Sequence, residues 1–548
     1  MKRTLALLLT CFMLLTIAAC GGGSGPADPA STKADAADVA DAKDAEGTKE
    51  VVEEKPELAK IKVEVFDRGT DGGKTNAIDN YWTDWIKEKL LEDENIEVEF
   101  VSVSRWEEEP QLSNLMASGT APDVCYTYST SLIALFRDQG GQTELSSFMD
   151  KLTDLDTLLG EDTALPGRRL IERNKIMETG EIFSVPARRM NVAGWNTFIR
   201  KDWLDKLGLP LPETRDDWYN ALVAFRDNAK TLGTDVIPFI MTDDVHHRAM
   251  NLICSFLNAD MTPKDLWVNS VIDRYYMLDG AKEGYRYLNK MYLDGLIDPE
   301  FYLYKDDVKN EEYIKAGRVG SFIHNWDQAF RNSPSYLDGL RENVPDGEFV
   351  AIDPFKNSKG KTYKKMYDAA GLNIFVPSFS ENPEAAVRYI NWLAKPEVYQ
   401  FLQFGEEGKN HKLVNGIPAV TPTDGPSIQN SSNNIDMTIP MNGLWLGDQE
   451  TTTKALANGY TCDPQYIVDA MKYAMKDAEA TMVVPVTLSA AGPYTEDLRL
   501  KGNDGACNSV RAAEGQFDKV WDEFIADWRA SGADEIIAER AEKYIDMN

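Results

Sequence analysis

The chain has 548 residues, 43% hydrophobic and 27% charged, with 58 Lys plus Arg against 89 Asp plus Glu, for a formal net charge of −31. At about 150 residues per domain this leaves room for roughly three domains or two large lobes, and the composition is that of a globular body with a sizeable core, not a disordered or multi-span membrane chain. The excess of carboxylates repels phosphate backbones and anionic lipid surfaces, which disfavours a nucleic-acid partner.

Lys2 and Arg3 precede an apolar run from Leu5 to Ile17, the charged and hydrophobic regions of an export signal too short to span a bilayer. Ile17-Ala18-Ala19-Cys20 resembles a bacterial lipobox, so residues 1–19 are expected to be a lipoprotein signal peptide and Cys20 the lipidated residue, anchoring the chain to the extracellular face of the cell membrane. Residues 20–60, rich in Ala, Asp, Glu, Lys and Gly with few large apolar groups, read as an acidic tether that cannot offset its chain entropy. After Cys20 the tether holds ten acids and five bases and the leader two bases, which leaves the body at −28. Beyond Cys11 and Cys20, the cysteines at 125, 254, 462 and 507 lack metal-ligand spacing. Cys462 and Cys507 are read either as a pair or as isolated small buried residues.

In the body, Ile61, Val63 and Val65 alternate with polar residues as in a strand, and Ile78, Trp82, Trp85, Ile86 and Leu90 follow at helical spacing. Ile96, Val98 and Phe100 alternate again, Leu112, Leu115 and Met116 mark a second helix capped by Gly119, and a third strand is expected from Val124 to Tyr126. This βαβαβ order predicts a parallel sheet with right-handed crossovers. An extended stretch runs from Pro186 to Ile199, and Thr214 opens a helix in a capping-box arrangement with Asp217. Val319–Ile323 and Leu372–Val376 read as buried strands, and a helix after Ser380 is expected to end at Pro396. From Asp463 the tail reads as mostly helical, with a core stripe of Phe517, Val520, Trp521, Phe524 and Trp528.

The segment Leu115-Met116-Ala117-Ser118-Gly119-Thr120-Ala121-Pro122-Asp123-Val124 resembles a conserved stretch of family 1 extracellular solute-binding proteins, the sugar-binding lipoproteins of bacterial ABC importers, in their long oligosaccharide-type branch. Ile182–Pro186, Phe198–Gly208, and Gly371–Val376 followed by Glu384–Leu393 resemble that family's passage between lobes and its return. The resemblance implies a two-lobed α/β fold of the type II periplasmic-binding-protein kind, each lobe a mainly parallel sheet flanked by helices, with the ligand cleft at the hinge. It implies residues 61–195 and 369–425 for the N-terminal lobe, and 196–368 and 426–548 for the C-terminal lobe. It further implies a carbohydrate ligand, delivery to membrane permease subunits, a monomer, and neither cofactor nor catalysis.

A sugar offers apolar C–H faces and ring hydroxyls, so its cleft needs flat aromatic platforms and planar polar groups. Trp195, in the crossing segment, and Trp445, in the loop Asn442–Asp448, are candidate platforms. So is Trp326, flanked by Asn325 and Asp327 just after a buried strand, although this turn lacks the Gly-Pro that precedes the stacking aromatic in maltose-binding relatives. Ligands of α/β sheets bind beyond the carboxyl ends of the strands, which nominates Asp67 and Arg68 after the first strand and Tyr126, Thr127 and Tyr128 at the third. Arg188 and Arg189, after Pro186, are placed to grip a uronate or a hydroxyl pair.

Enzyme readings find little support. Four histidines form neither a zinc-protease nor a zinc-finger spacing, Asp67, Asp71 and Asp79 near one another offer no more than a suggestion of calcium, and Ser358-x-x-Lys361 falls in a Lys/Gly-rich stretch. Gly69 to Gly73 has three intervening residues where a phosphate loop needs four, and 89 acids make any glycosidase-like carboxylate pair uninformative. A glycan-binding sensor or adhesion lipoprotein, and less so an exported glycoside hydrolase or lyase, stand as alternatives.

Overall fold

The computed structural model describes residues 56–545 apart from 70–75, 166, 234, 332–334, 363, 421–436, 481, 485 and 487. The expected leader, Cys20, nearly all of the tether and Asp71 lie outside the described residues. The strands among the described residues are β1 (Ala59–Asp67), β2 (Ile96–Ser104), β3 (Cys125–Thr127), β4 (Val185–Arg189), β5 (Trp195–Arg200), β6 (Ile237–Ile240) and β7 (Val319–Asn325). They continue with β8 (Phe349–Ile352), β9 (Lys364–Lys365), β10 (Ala370–Phe375), β11 (His411–Val414), β12 (Ile417–Val420), β13 (Met441–Asn442) and β14 (Ala478–Glu479).

The alternation that marks β1 and β2 places them parallel, Ile61 opposite Val98 and Val63 opposite Phe100. The helix between them, Tyr81–Glu94, starts at Asn80, whose side chain accepts the Trp82 and Thr83 N–H groups while Thr83 returns a bond to the Asn80 N–H. It buries Trp82, Ile86 and Leu90. A parallel bridge between Val63 and Val124 adds β3, as the βαβαβ pattern predicts, and the edge order becomes β2-β1-β3-β10-β4-β13. The second sheet has the order β6-β7-β5-β8.

The second sheet departs from the mainly parallel arrangement expected. Only β6 and β7 are parallel; β5 runs antiparallel to both β7 and β8. The reason is the route of the chain. β4 leaves the first sheet at Arg189 and β5 starts six residues later, with Trp195 opposite the last residue of β7, Asn325. A strand that enters from the boundary must run away from it, against strands that end there. β10, returning the other way, is antiparallel to β3 and β4 for the same reason, its Ala370 opposite Arg188.

Alternate residues of the second sheet feed different cores, as a period of two requires. Ile199, Phe239, Ile323 and Ile352 face a cluster with Trp218, Tyr285, Trp521 and Trp528, whereas Phe198, Ile240, Phe322 and Ala351 face one with Leu337, Ile467 and Ala470. Helices therefore cover both faces, and the C-terminal aromatic stripe is core, with Val520 only partly buried. The first lobe has its own core around Phe66, Trp82, Tyr126 and Trp392.

Two expectations need correction, and one reading left open is decided. Met437 and Ile439 pack in the first core and β13 pairs with β4, so the last segment of the second lobe begins after Asn442 rather than at 426; a two-residue strand carries no periodicity from which to read this. Pro396 does not merely end a helix but opens the next, Pro396–Phe404, since its fixed φ and missing N–H suit a first helical position. Cys462 and Cys507 are buried and unpaired, in different clusters. Among the described residues no helix is long and apolar enough to cross a membrane.

Candidate functional site

The carboxyl ends of β3, β4 and β7 meet the boundary between the sheets, where the connecting segments run side by side. Arg189 N–H donates to Ala369 O at 2.7 Å and Tyr367 N–H to Val192 O at 3.0 Å. Gly194 permits this approach, because a Cβ there would stand 2.4 Å from Lys365 O. A cavity of about 210 Å³ opens at this crossing, and both lobes line it: Arg188, Arg189 and Thr163 from the first, Tyr367 and Asp368 from the connector, Met475 from the second. Trp445, in the third crossing, also lines it and is held by its N–H donating to Gln403 Oε1 at 3.0 Å.

The two arginines differ in how they are held. Arg188 donates through Nη1 to Leu159 O and, at 3.4 Å, to Glu161 O, and burial pushes its pKa down. Arg189 lies with its guanidinium carbon 4.7 Å from the centroid of the Tyr367 ring, a cation–π contact. Burial raises the Tyr367 pKa, so the phenol stays protonated and donates to Asn325 Oδ1 at 3.0 Å. Arg189, Tyr367 and Asn325 thus link the end of β4 to the end of β7. The carboxylate of Asp368 is already engaged, accepting from Arg173 Nη1 at 2.6 Å and from Ala370 N–H at 2.9 Å.

Along the first sheet's edge, Asp67 is exposed and accepts from Gly69 N–H at 2.9 Å, and the Arg68 guanidinium carbon is 5.9 Å from the Phe66 ring. Tyr128 is half-buried, its hydroxyl accepting from Asn442 Nδ2 at 2.7 Å and its ring 4.4 Å from the Arg105 guanidinium carbon. Tyr126, expected beside it, is instead a core residue: its ring meets Phe66 edge-on at 4.6 Å and its hydroxyl accepts from Phe66 N–H. Successive strand side chains take opposite faces, so Tyr126 and Tyr128 share a side but only the one beyond the strand end emerges. Trp106 went unnoticed in the sequence. It is 72% exposed, fixed by its Nε1–H donating to Arg68 O at 3.2 Å, with Arg105 5.5 Å from its ring. The available signal was Ser104-Arg105-Trp106 after an alternating run, which β2 extends four residues beyond Phe100. From the end of β2 to the end of β4 there are four strand spacings, an edge of about 19 Å.

On the second lobe Trp195 is half-buried, stacked on His247 at 5.7 Å and 12°, with the Arg248 guanidinium carbon 5.4 Å away. His247 and Arg274 both bond Asp244; burial works the other way, yet the hydrogen bond with His247 and the charge of Arg274 hold the Asp244 carboxyl well below the usual range. His324 Nε2 lies 3.0 Å from Asp307, and burial lowers its pKa to about 4. Trp326, expected as a stacking platform, is 4% exposed within the second lobe's core. Its N–H donates to Gly194 O and its carbonyl accepts from Asn196 Nδ2, which ties the backbone to β5 and turns the ring inward. Asp327 is likewise buried, accepting from Arg331 Nε at 3.0 Å and from the Tyr460 hydroxyl. Its hydrogen-bonding capacity is committed inside the fold. Among the described residues no group of three or more His, Cys, Asp or Glu side chains is arranged to hold a metal ion.

The sequence profile of the bacterial extracellular solute-binding proteins matches residues 72–400. The chain belongs to this family. Among curated relatives of this solute-binding protein, lipoprotein LipO of Bacillus subtilis is 22% identical over 393 residues, which are 67% of this chain and 71% of the relative. The polygalacturonan/rhamnogalacturonan-binding protein YtcQ of the same organism is 22% identical over 58% of this chain and 61% of its own length. Among solved structures, alginate-binding protein AlgQ2 without calcium ion superposes with a TM-score of 0.63 at 18% identity, covering 89% of this chain and 98% of its own. An extracellular solute-binding protein from Bifidobacterium longum subsp. infantis gives 0.64 at 17% identity, covering 89% and 99%. Streptococcus pneumoniae FusA in complex with kestose gives 0.60 at 14%, covering 88% and 98%. These likenesses establish the fold as the two-lobed α/β arrangement of type II periplasmic binding proteins.

Proposed function

We propose that this solute-binding protein captures a carbohydrate, an oligosaccharide, between its two lobes and delivers it to the permease subunits of an ABC importer, anchored as a monomer to the extracellular face of the membrane by lipid on Cys20. The observation that carries the reading is the cavity at the crossing of the lobes, where Trp445 and Arg189 share one lining. An aromatic face with a planar polar group is the pairing a sugar ring needs. The alginate-binding, kestose-bound and polygalacturonan-binding names of AlgQ2, FusA and YtcQ support the same ligand class. Asp67, Arg68, Tyr128 and Trp106 extend the candidate surface along the first sheet's edge, and Trp195 and Asn325 face it from the second.

Capture needs no covalent step. A ligand that touches both lobes shifts the population toward closure by its differential affinity for the closed state, and an affinity near micromolar, about −8 kcal/mol, suits a protein that must also release its cargo. The test is calorimetry against an oligosaccharide library with small-angle scattering of each complex. A bound oligosaccharide should compact the protein and remain chemically unchanged. Tight binding without compaction defeats the hinge account, and turnover of the sugar defeats the binding-protein account.

A further inference from the structure

Resting on that carbohydrate reading, we infer that the cavity at the lobe crossing is a subsite for one acidic sugar ring, a uronosyl residue whose carboxylate is gripped by Arg189. Size comes first. A dry cavity of about 150 Å³ holds a benzene ring, so about 210 Å³ admits a single six-membered ring with its substituents.

Charge selects the kind of ring. In a chain of net charge −31 carboxylates are abundant enough to pair most guanidiniums: Arg200 pairs with Asp202, Arg248 with Asp307, Arg286 with Asp518 and Arg331 with Asp327. Among the described residues the two arginines on the cavity have no ion pair, as is also true of Arg215 and Arg540, but here both stand on one lining. Arg188 spends Nη1 on backbone carbonyls, and Arg189 rests on the Tyr367 ring. The acid on the lining, Asp368, is shared with Arg173, whose other partner is Asp162. Counting the lining together with these two partners, three guanidiniums face two carboxylates, and the surplus is one positive charge in a strongly acidic body. A half-buried guanidinium without a carboxylate is costly to keep, and its planar fork matches a carboxylate with two parallel hydrogen bonds. A neutral sugar would satisfy the donors and leave the charge; a uronate answers both.

The experiment titrates the full-length protein calorimetrically with oligogalacturonates and oligomannuronates, with the methyl esters of each, and with neutral maltotriose, at low and high salt. The esters keep ring and length but lose the charge. The acids of one series should bind at least tenfold more tightly than their esters, with affinity falling as salt rises. Arg189→Gln should weaken acid binding by about 10- to 100-fold, the size of a lost charge-assisted pair, with little change in melting temperature, and Arg189→Lys should fall between. Esters or maltotriose binding as tightly as the acids overturns the inference and leaves the carbohydrate reading standing. Undiminished acid binding by a folded Arg189→Gln protein also overturns it. Failure of every acid to bind overturns the inference, and the wider oligosaccharide library then decides the carbohydrate reading separately. If Arg189→Gln does not fold, the acid and ester comparison on the unaltered protein decides.

Discussion

Two tryptophans separate what a residue type suggests from what its surroundings make of it. Trp326 stands between two polar residues, as a sugar platform should, yet it is enclosed, whereas Trp106 lies open at the end of β2 with its indole N–H already engaged. Trp326→Ala should therefore lower stability by about 3 to 5 kcal/mol with sugar affinity retained in the folded fraction. Trp106→Ala should leave the melting curve within about 0.5 kcal/mol and cost about 2 kcal/mol of binding. Calorimetry beside thermal melts of both variants checks the pair, and the reverse pattern would return Trp326 to the site. His324 gives a pH dependence of known sign. Burial holds its pKa near 4 against an ordinary 6.5, so between those values the unfolded chain binds a proton that the folded chain refuses. Stability is lost as pH falls through that window, by about 3 kcal/mol for this group. Urea melts at pH 7 and 4.5 should show a shallower acid loss for His324→Gln than for the unaltered protein.

At the level of elements, the strands that alternate over five or more residues and the helices with side-chain caps were legible. β1, β2 and the helix opened by Thr214 and Asp217 follow from local pattern and capping chemistry alone. The antiparallel course of β5 was not, because strand direction follows from where the chain enters the second sheet, and no residue of Trp195–Arg200 encodes that. β13 was out of reach for a related reason: two residues have no period, and Met441–Asn442 becomes a strand only by lying on β4. The site divides likewise. Arg188 and Arg189 after Pro186, and Trp445 in a polar loop, were readable as candidates and line one cavity, while Tyr126 and Asp327 are buried because a residue's depth depends on partners such as Phe66 and Tyr460, distant in sequence. The connectors carry their own constraint at Gly194. With Lys365 O 2.4 Å from where a Cβ would sit, Gly194→Ala must push two backbone segments apart, and an overpacking cost of about 1 to 3 kcal/mol is expected. The same displacement should alter the angle between lobes, so scattering of the unliganded variant should differ from that of the parent; an unchanged melt and an unchanged profile would show that the crossing does not hold the lobes.

On the scale of the whole molecule, three crossings between two lobes bring the proposed hinge and the proposed binding surface to one boundary. Each lobe's core closes around its own sheet, so bringing the lobes together disturbs neither interior, and the ligand needs only to supply the contacts that join them. The anchor is separable from this machinery on the same ground. Among the described residues, the buried members of the three large apolar clusters fall between Ile61 and Ile536, and the sequence after Cys20 is acidic and poor in large apolar residues. Cys20→Ala therefore removes the sulfur that would carry the lipid. The variant, expressed in a bacterium that processes lipoproteins, should appear in the medium with the melting temperature and sugar affinity of the parent protein stripped from membranes. Fractionation with calorimetry reads both properties at once. Retention on the membrane would move the anchor to the apolar leader or to another contact, and release with weakened affinity would tie the N-terminal segment to the cleft.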